Sequence, residues 1–122
     1  MDERRQFSRI LFDANAYLQQ SEQTWSTTII DLSLNGALVQ KPDAFDANDG
    51  PIKLGFTLPG SDIEVSMETR LVHSKDQQLG LRCLHIDIDS ISHLRHMLAL
   101  NLGDASLLNR ELTLFVEAHD QQ

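Results

Sequence analysis

Three arginines fall within the first nine residues of this 122-residue chain, in the run Arg4-Arg5-Gln6-Phe7-Ser8-Arg9. Guanidinium is a planar fork of donors, charged at any relevant pH, that matches phosphate oxygens or the O6 and N7 edge of guanine in bidentate fashion. Two or three such forks in one short segment can grip an anion from several sides. Spacing alone does not demand this, because arginines near a terminus are ordinarily solvated surface charges. A second constellation is Asp31-Leu32-Ser33-Leu34-Asn35-Gly36, directly after the strand-like Thr27-Thr28-Ile29-Ile30. In an extended segment Asp31 and Ser33 project to one side while Leu32 and Leu34 point to the other. Asn35-Gly36 supplies the positive φ of a tight turn and leaves no side chain to obstruct a ligand lying across it. Taken by itself, the hexapeptide reads more simply as an ordinary strand-turn-strand corner.

The charge balance narrows what those residues could hold. Ten Lys and Arg face eighteen Asp and Glu, a formal net charge of −8. That disfavours broad, sequence-independent binding to nucleic acid or to anionic lipid, so an anionic ligand must be held locally. The opening segment is the main cationic island. No apolar run is long enough to span a bilayer, and the N-terminus lacks the apolar stretch of a secretory signal, which points to a cytoplasmic protein without membrane insertion. Cys83 is the single cysteine, read as a buried free thiol, and it leaves no intramolecular disulfide or thiolate metal cluster.

The elements that must position these residues follow from periodicity. Apolar residues make up 41% of the chain and charged ones 23%, close to globular averages, so a core can form in one domain over residues 1–122. Short β-type runs are expected at Ala16 to Leu18, Trp25 to Leu32, Gly36 to Val39, Ile52 to Leu58, Ile63 to His73 and Leu79 to Ile88. Breaks fall at Pro42, at Asn48-Asp49-Gly50-Pro51 and at Pro59-Gly60. In the fifth run Ile63, Val65, Met67, Thr69, Leu71 and His73 alternate with Glu64, Ser66, Glu68, Arg70, Val72 and Ser74, which puts one mostly apolar set on one face. After Asp87 the period changes. Ile91, Leu94, Leu98 and Leu102 predict a helix with Asp89 or Ser90 as N-cap and Gly103 as its stop. Asp104 caps a second helix whose apolar stripe is Leu108, Leu112, Phe115 and Val116. The expected layout is a flexible arginine-bearing arm over residues 1–12, a barrel over 13–88 and helices over 89–119.

Together the two constellations resemble the PilZ domain family, whose hallmark is an N-terminal RxxxR followed by a (D/N)xSxxG motif. Arg5-Gln6-Phe7-Ser8-Arg9 matches the first, and Asp31 to Gly36 matches every fixed position of the second. The Gly-containing strand Leu79-Gly80-Leu81-Arg82-Cys83 and the helical C-terminus are also like the family, most of all its small single-domain members of gammaproteobacterial type. The resemblance implies a mainly β fold, a six-stranded antiparallel barrel with C-terminal α-helices. It implies a receptor of bis-(3′,5′)-cyclic dimeric GMP, needing no cofactor and catalysing no reaction. Arg5 and Arg9 would clamp guanine edges and phosphates, Asp31 would accept from guanine N1 and N2, Ser33 would hydrogen-bond the ligand, and Gly36 would permit its close approach. Arg4 would mark binding of a stacked ligand pair. His73 stands where some relatives stack a tryptophan on a guanine; its smaller face contributes less to a contact worth about 1–3 kcal/mol. Arg70 and Arg82 could supplement it, although they read first as solvent-facing strand charges. The output would be a change in the arm, read by a protein partner in motility, chemotaxis, biofilm or polysaccharide machinery. The receptor itself is expected to be a monomer.

Three rival readings are open to test. His85-x-Asp87-x-Asp89 could place three metal ligands on one strand face, with His93 and His96 following, yet Asp89 serves equally as a helix cap. No GxSxG, HExxH or GxxxxGK[ST] occurs, so catalysis has no specific support. A nucleotide-independent adaptor that acts by protein contact alone is the alternative within the same fold, and the intact arginines and DxSxxG count against it.

Overall fold

The computed structural model describes residues 7–120, with the side chain of Asp120 left aside. Six strands alternate inward apolar and outward polar residues: β1 (Ile10–Gln20), β2 (Gln23–Ser33), β3 (Gly36–Gln40), β4 (Ile52–Thr57), β5 (Glu64–Lys75) and β6 (Gln78–Ile86). They pair antiparallel and close in the order β1-β2-β3-β6-β5-β4. Closure removes the unpaired edges that an open sheet would present. Leu18, Leu32, Leu34, Val39, Ile52, Leu54, Val65 and Leu79 fill the interior, each with 0% exposure. The six-stranded barrel expected from the sequence is the one observed. Its start lies earlier than residue 13, because β1 begins at Ile10, where Ile10 packs into the core against an exposed Leu11.

Of the register shifts in the barrel, two one-residue slips decide which residues of β2 and β5 reach the outer face beside β3 and β6. Between β2 and β3, Ile29 pairs with Val39 and Asp31 with Leu38, so Ile30 is the extra residue of a bulge. Between β5 and β6, Leu71 pairs with Leu81 and His73 with Gly80, leaving Val72 as the extra residue. Each bulge reverses the inward-outward parity of the strand residues beyond it. Ile29 and Leu32 can therefore both point inward, and Asp31 turns out.

The same reversal corrects the expectation that His73 continues the apolar face of Val65, Met67 and Thr69. Leu71 is the last inward residue of that set, and His73 is exposed. Ile63, the first residue of the expected run, precedes β5 and is 38% exposed.

Helix α1 (Ile88–Leu102) packs Leu94 and Leu98 onto the barrel beside β5. The Ser66 amide donates to Ser90 Oγ at 3.1 Å, tying strand to helix. Its N-cap is Asp87, not Asp89 or Ser90: Asp87 is extended, and its carboxylate accepts from the Ser90 amide at 3.0 Å. Those amide bonds hold the Asp87 carboxyl below its ordinary 3.8. Gly103 ends the helix in the left-handed region at φ 71°, as its position predicts.

Helix α2 (Ala105–Asp120) starts where Asp104 accepts from the Leu107 amide at 3.0 Å. Leu108 and Phe115 are buried, but Val116 is 51% exposed and Glu111 is 5% exposed. On a helix Glu111, Leu112 and Phe115 lie three, four and seven residues from Leu108, within one stripe, whereas Val116 falls to its edge. Glu111 replaces Val116 on the buried face because it has a partner there.

Candidate ligand groove

The outer faces of β2, β3, β6 and β5 form one continuous surface. Pairing lines up Asp31, Leu38, Gly80 and His73 across four strands, in a row of outward positions about 14 Å long at the usual strand spacing. A second row beside it carries Ser33, Gly36, Arg82 and Arg70. An open groove of about 760 Å³ lies over these rows. Asp31, Ser33, Gly36, His73 and Arg82 all line it, together with Phe7 and Arg9 from the segment before β1. Arg70 does not. Among the groove's lining residues, Arg9, Arg82 and Asp31 are the Lys, Arg, Asp or Glu side chains.

Arg9 joins the two sequence motifs. Its guanidinium is 3.6 Å from the Asp31 carboxylate, with side-chain exposures of 48% and 14%. A half-exposed pair of this kind is worth about 0–1 kcal/mol, weak enough to be exchanged for ligand contacts. Asp31 keeps a partly sheltered carboxylate facing the groove, an acceptor suited to a base carrying adjacent N–H donors.

Arg4 and Arg5 lie outside the described residues, so the other half of the arginine motif has no described position. The segment that bears them is anchored at its C-terminal end. The Ser8 amide and Ser8 Oγ donate to the two Glu111 oxygens at 2.9 and 2.6 Å. Phe7 meets Phe115 edge to face at 6.4 Å. Phe115 in turn stacks on His119 at 3.9 Å, and His119 contacts the Cys83 carbonyl at 3.2 Å through Nε2. Phe7 and Ser8 are thus docked on α2 and Arg9 pairs with β2, where the sequence suggested a flexible arm as far as residue 12. Glu111 had no signature in the sequence; the one available hint was an acid at a stripe position of an amphipathic helix.

Ser33 and Gly36 do more for the hairpin than the motif suggested. Ser33 Oγ accepts from the Asn35 amide at 3.2 Å and donates to the Gly36 carbonyl at 3.4 Å, closing the Leu34-Asn35 turn. Gly36 has φ 151°, and a Cβ built there would sit 2.0 Å from the Leu81 carbonyl oxygen. Its bareness is required by β6, whose backbone occupies the space. Gly80 has a similar duty toward the site. A Cβ at Gly80 would lie 2.9 Å from His73 Cβ and 3.6 Å from its Cγ, so the imidazole rests across a glycine on the neighbouring strand. This braces the ring on the outer face beside Val72, which is 54% exposed.

The metal reading does not find its geometry. β6 ends at Ile86, Asp87 caps α1 and Asp89 lies in its first turn, so the three residues do not share a strand face. Among the described residues no group of three or more His, Cys, Asp or Glu side chains could hold an ion. Cys83 is buried, and burial pushes its thiol up to about 12, against the lowering effect of a hydrogen bond from the His85 backbone.

A barrel with its polar acid-and-glycine corner, an arginine segment folded toward that corner and a helix after the last strand has a counterpart among known domains. A model of the PilZ domain family matches residues 3–100. The chain belongs to the PilZ domain family.

Solved structures share its fold at low identity. The PilZ domain of CeSA from a cellulose-synthesizing bacterium is 17% identical, with a TM-score of 0.59 over 77% of this chain and 98% of that one. The inhibitor of motility MotI/DgrA of Bacillus subtilis is 19% identical, with a TM-score of 0.67 over 84% of this chain and 53% of that one. PlzA of Borreliella burgdorferi, solved in complex with c-di-GMP, is 20% identical, with a TM-score of 0.53 over 70% of this chain and 37% of that one. The chain thus spans about half of MotI/DgrA and little more than a third of PlzA. Helix α2, which docks Phe7 and Ser8, lies beyond the family match. No described helix is long and apolar enough to cross a membrane.

Proposed function

We propose that this PilZ domain is a receptor for cyclic di-GMP and catalyses no reaction. The Arg9–Asp31 ion pair carries the reading, because it brings the second arginine of RxxxR and the acid of DxSxxG to the rim of the same groove. On ligand binding Arg9 exchanges the carboxylate for a phosphate or a guanine edge, and Arg5 adds a second fork. Asp31 then accepts from guanine N1–H and N2–H. Ser33 offers its hydroxyl, Gly36 leaves the hairpin low, and the His73 ring stacks on a base. Charge-assisted hydrogen bonds contribute about 1.5–3 kcal/mol each, more than the exposed ion pair they replace. Arg4 supplies a further cation for a stacked ligand pair.

A change in the arm around the ligand alters the surface formed by the arm and the barrel rim. A protein partner of the motility, chemotaxis or polysaccharide machinery reads that surface. Affinity depends on several contacts together, since they must offset the entropy lost by the arm.

The test is calorimetric titration of cyclic di-GMP into the wild-type chain, Arg5→Ala and Arg9→Ala. Saturable binding is expected in the first, with a loss of at least about tenfold in each variant, because a decade of affinity is only about 1.4 kcal/mol. A stoichiometry near two ligands per chain supports the stacked pair. Indistinguishable heats in all three proteins sink the receptor reading and favour an adaptor that acts by protein contact alone.

A further inference from the structure

The groove has a second cationic wall outside both motifs. Arg82 on β6 pairs with Gly36 on one side and with Arg70 of β5 on the other. Leu81 and Cys83 flanking Arg82 are buried, as is Thr69 beside Arg70, so both arginines leave the outer face directly opposite each other. Like charges in that relation destabilise a strand pair. Among the described residues the ion pair is Arg9–Asp31, and no described carboxylate forms an ion pair with Arg70 or Arg82. On the side of Arg82 toward the motif hairpin stands a glycine, which leaves the arginine uncovered toward the groove it lines.

A repulsive pair beside bare sheet works against stability, and it stands on a chain of net charge −8 that needs local cations to hold an anion. Arg82 also lies on the second strand over from Asp31, about 10 Å across the sheet at ordinary strand spacing. It therefore faces a different part of any molecule that Arg9 and Asp31 hold at the rim.

We propose that Arg82, with Arg70 reinforcing its field, is the second cationic pole of the groove and binds a phosphodiester oxyanion of the bound guanine dinucleotide. The inference rests on the receptor reading of the same groove and adds a recognition residue to it. Arg82 supplies by charge some of the affinity that His73, with its small aromatic face, leaves unfilled.

Cyclic di-GMP binding by the full chain is measured over a series of salt concentrations for wild type, Arg82→Gln, Arg82→Lys and Arg70→Gln, alongside ligand-free melting temperatures. Arg82→Gln should bind about fivefold more weakly or worse, with a shallower salt dependence, since a charge-assisted contact is lost. Its melting temperature should hold or rise, because the opposed charges are relieved; a folding defect would lower it. Arg82→Lys should retain most of the salt dependence, and Arg70→Gln should show a smaller loss of affinity.

If wild type binds and Arg82→Gln matches it in affinity and salt dependence, the proposal is wrong while the receptor reading stands. It is equally wrong if Arg82→Lys falls as far as Arg82→Gln, or if Arg82→Gln melts lower. Absence of binding by wild type removes the receptor reading and this inference together.

Discussion

Gly36 invites two explanations that a single substitution separates. As a motif residue it would be bare so that a ligand can approach; in the structure it is bare because β6 approaches. The Cβ of Gly36→Ala would stand 2.0 Å from the Leu81 carbonyl oxygen, 3.0 Å from its carbon and 3.1 Å from Arg82 Cα. An ordinary carbon-to-oxygen contact is about 3.3 Å or more, so the backbones must separate by about 1.3 Å. Neither is free to move: Leu81 is core, and the Cys83 amide is bonded to the Asn35 carbonyl at 2.8 Å across the same corner. Relief costs one or two ladder hydrogen bonds at about 1 kcal/mol each, plus about 1–3 kcal/mol for a side chain at φ 151°. Gly→Ala returns about 0.4–1 kcal/mol by stiffening the unfolded chain. The net loss is about 3 kcal/mol, or about 10 °C in melting temperature for a domain of this size. Thermal unfolding without ligand, followed by the emission of buried Trp25, measures it. A Gly36→Ala protein melting within about 2 °C of wild type would refute the close-approach argument and restore ligand access as the reason for the glycine.

Two further outcomes follow from the packing. Glu111→Ala removes the acceptor for the Ser8 amide and hydroxyl, so amide exchange at Ser8 should accelerate and stability should fall by about 2 kcal/mol; unchanged exchange would mean that Phe7 alone docks the segment. Burial raises the Cys83 thiol from 9.0 to about 12, and burial with the Glu64 hydrogen bond raises the Tyr17 phenol from 10.0 to about 12. The unfolded chain therefore releases these protons at lower pH than the folded one. Their stabilising effect is complete below pH 9 and declines between pH 9 and 12, which denaturant midpoints at pH 8 and 11 will show as a drop. An equal midpoint at both pH values would contradict the assigned burial.

How much was legible before the structure depended on whether a residue's role is set by its neighbours in sequence or in space. Leu32 and Leu34 alternate with Asp31 and Ser33, so the inward and outward sides of the motif strand could be read locally, and the structure agrees. Gly103 and Asp104 announced the break between the helices for the same reason. Asp87 was passed over as the α1 cap because Asp89 and Ser90 compete for the position, and only backbone geometry chooses among them. His73 was assigned to the wrong face because strict alternation has no means of counting a bulge. Glu111 and Gly80 were invisible because their partners, Ser8 and His73, lie on other elements.

These two bulges also explain how a closed barrel comes to carry the candidate groove on its outside. A strand that buries alternate residues offers its outer face only the positions in between. Ile29 is inward, so strict alternation would bury Asp31; Leu71 is inward, so it would bury His73. An extra residue immediately before each, Ile30 and Val72, brings both out without disturbing the core positions on either side. Between them β3 and β6 contribute Leu38 and the bare Gly80, and the row is completed across four strands. The acid and the imidazole are 42 positions apart in the chain, yet their relative placement is fixed by hydrogen-bond register and not by loops. A row built this way is as fixed as the barrel wall, so a conformational response of the kind proposed above would fall to the segment before β1 and to the helix that docks it.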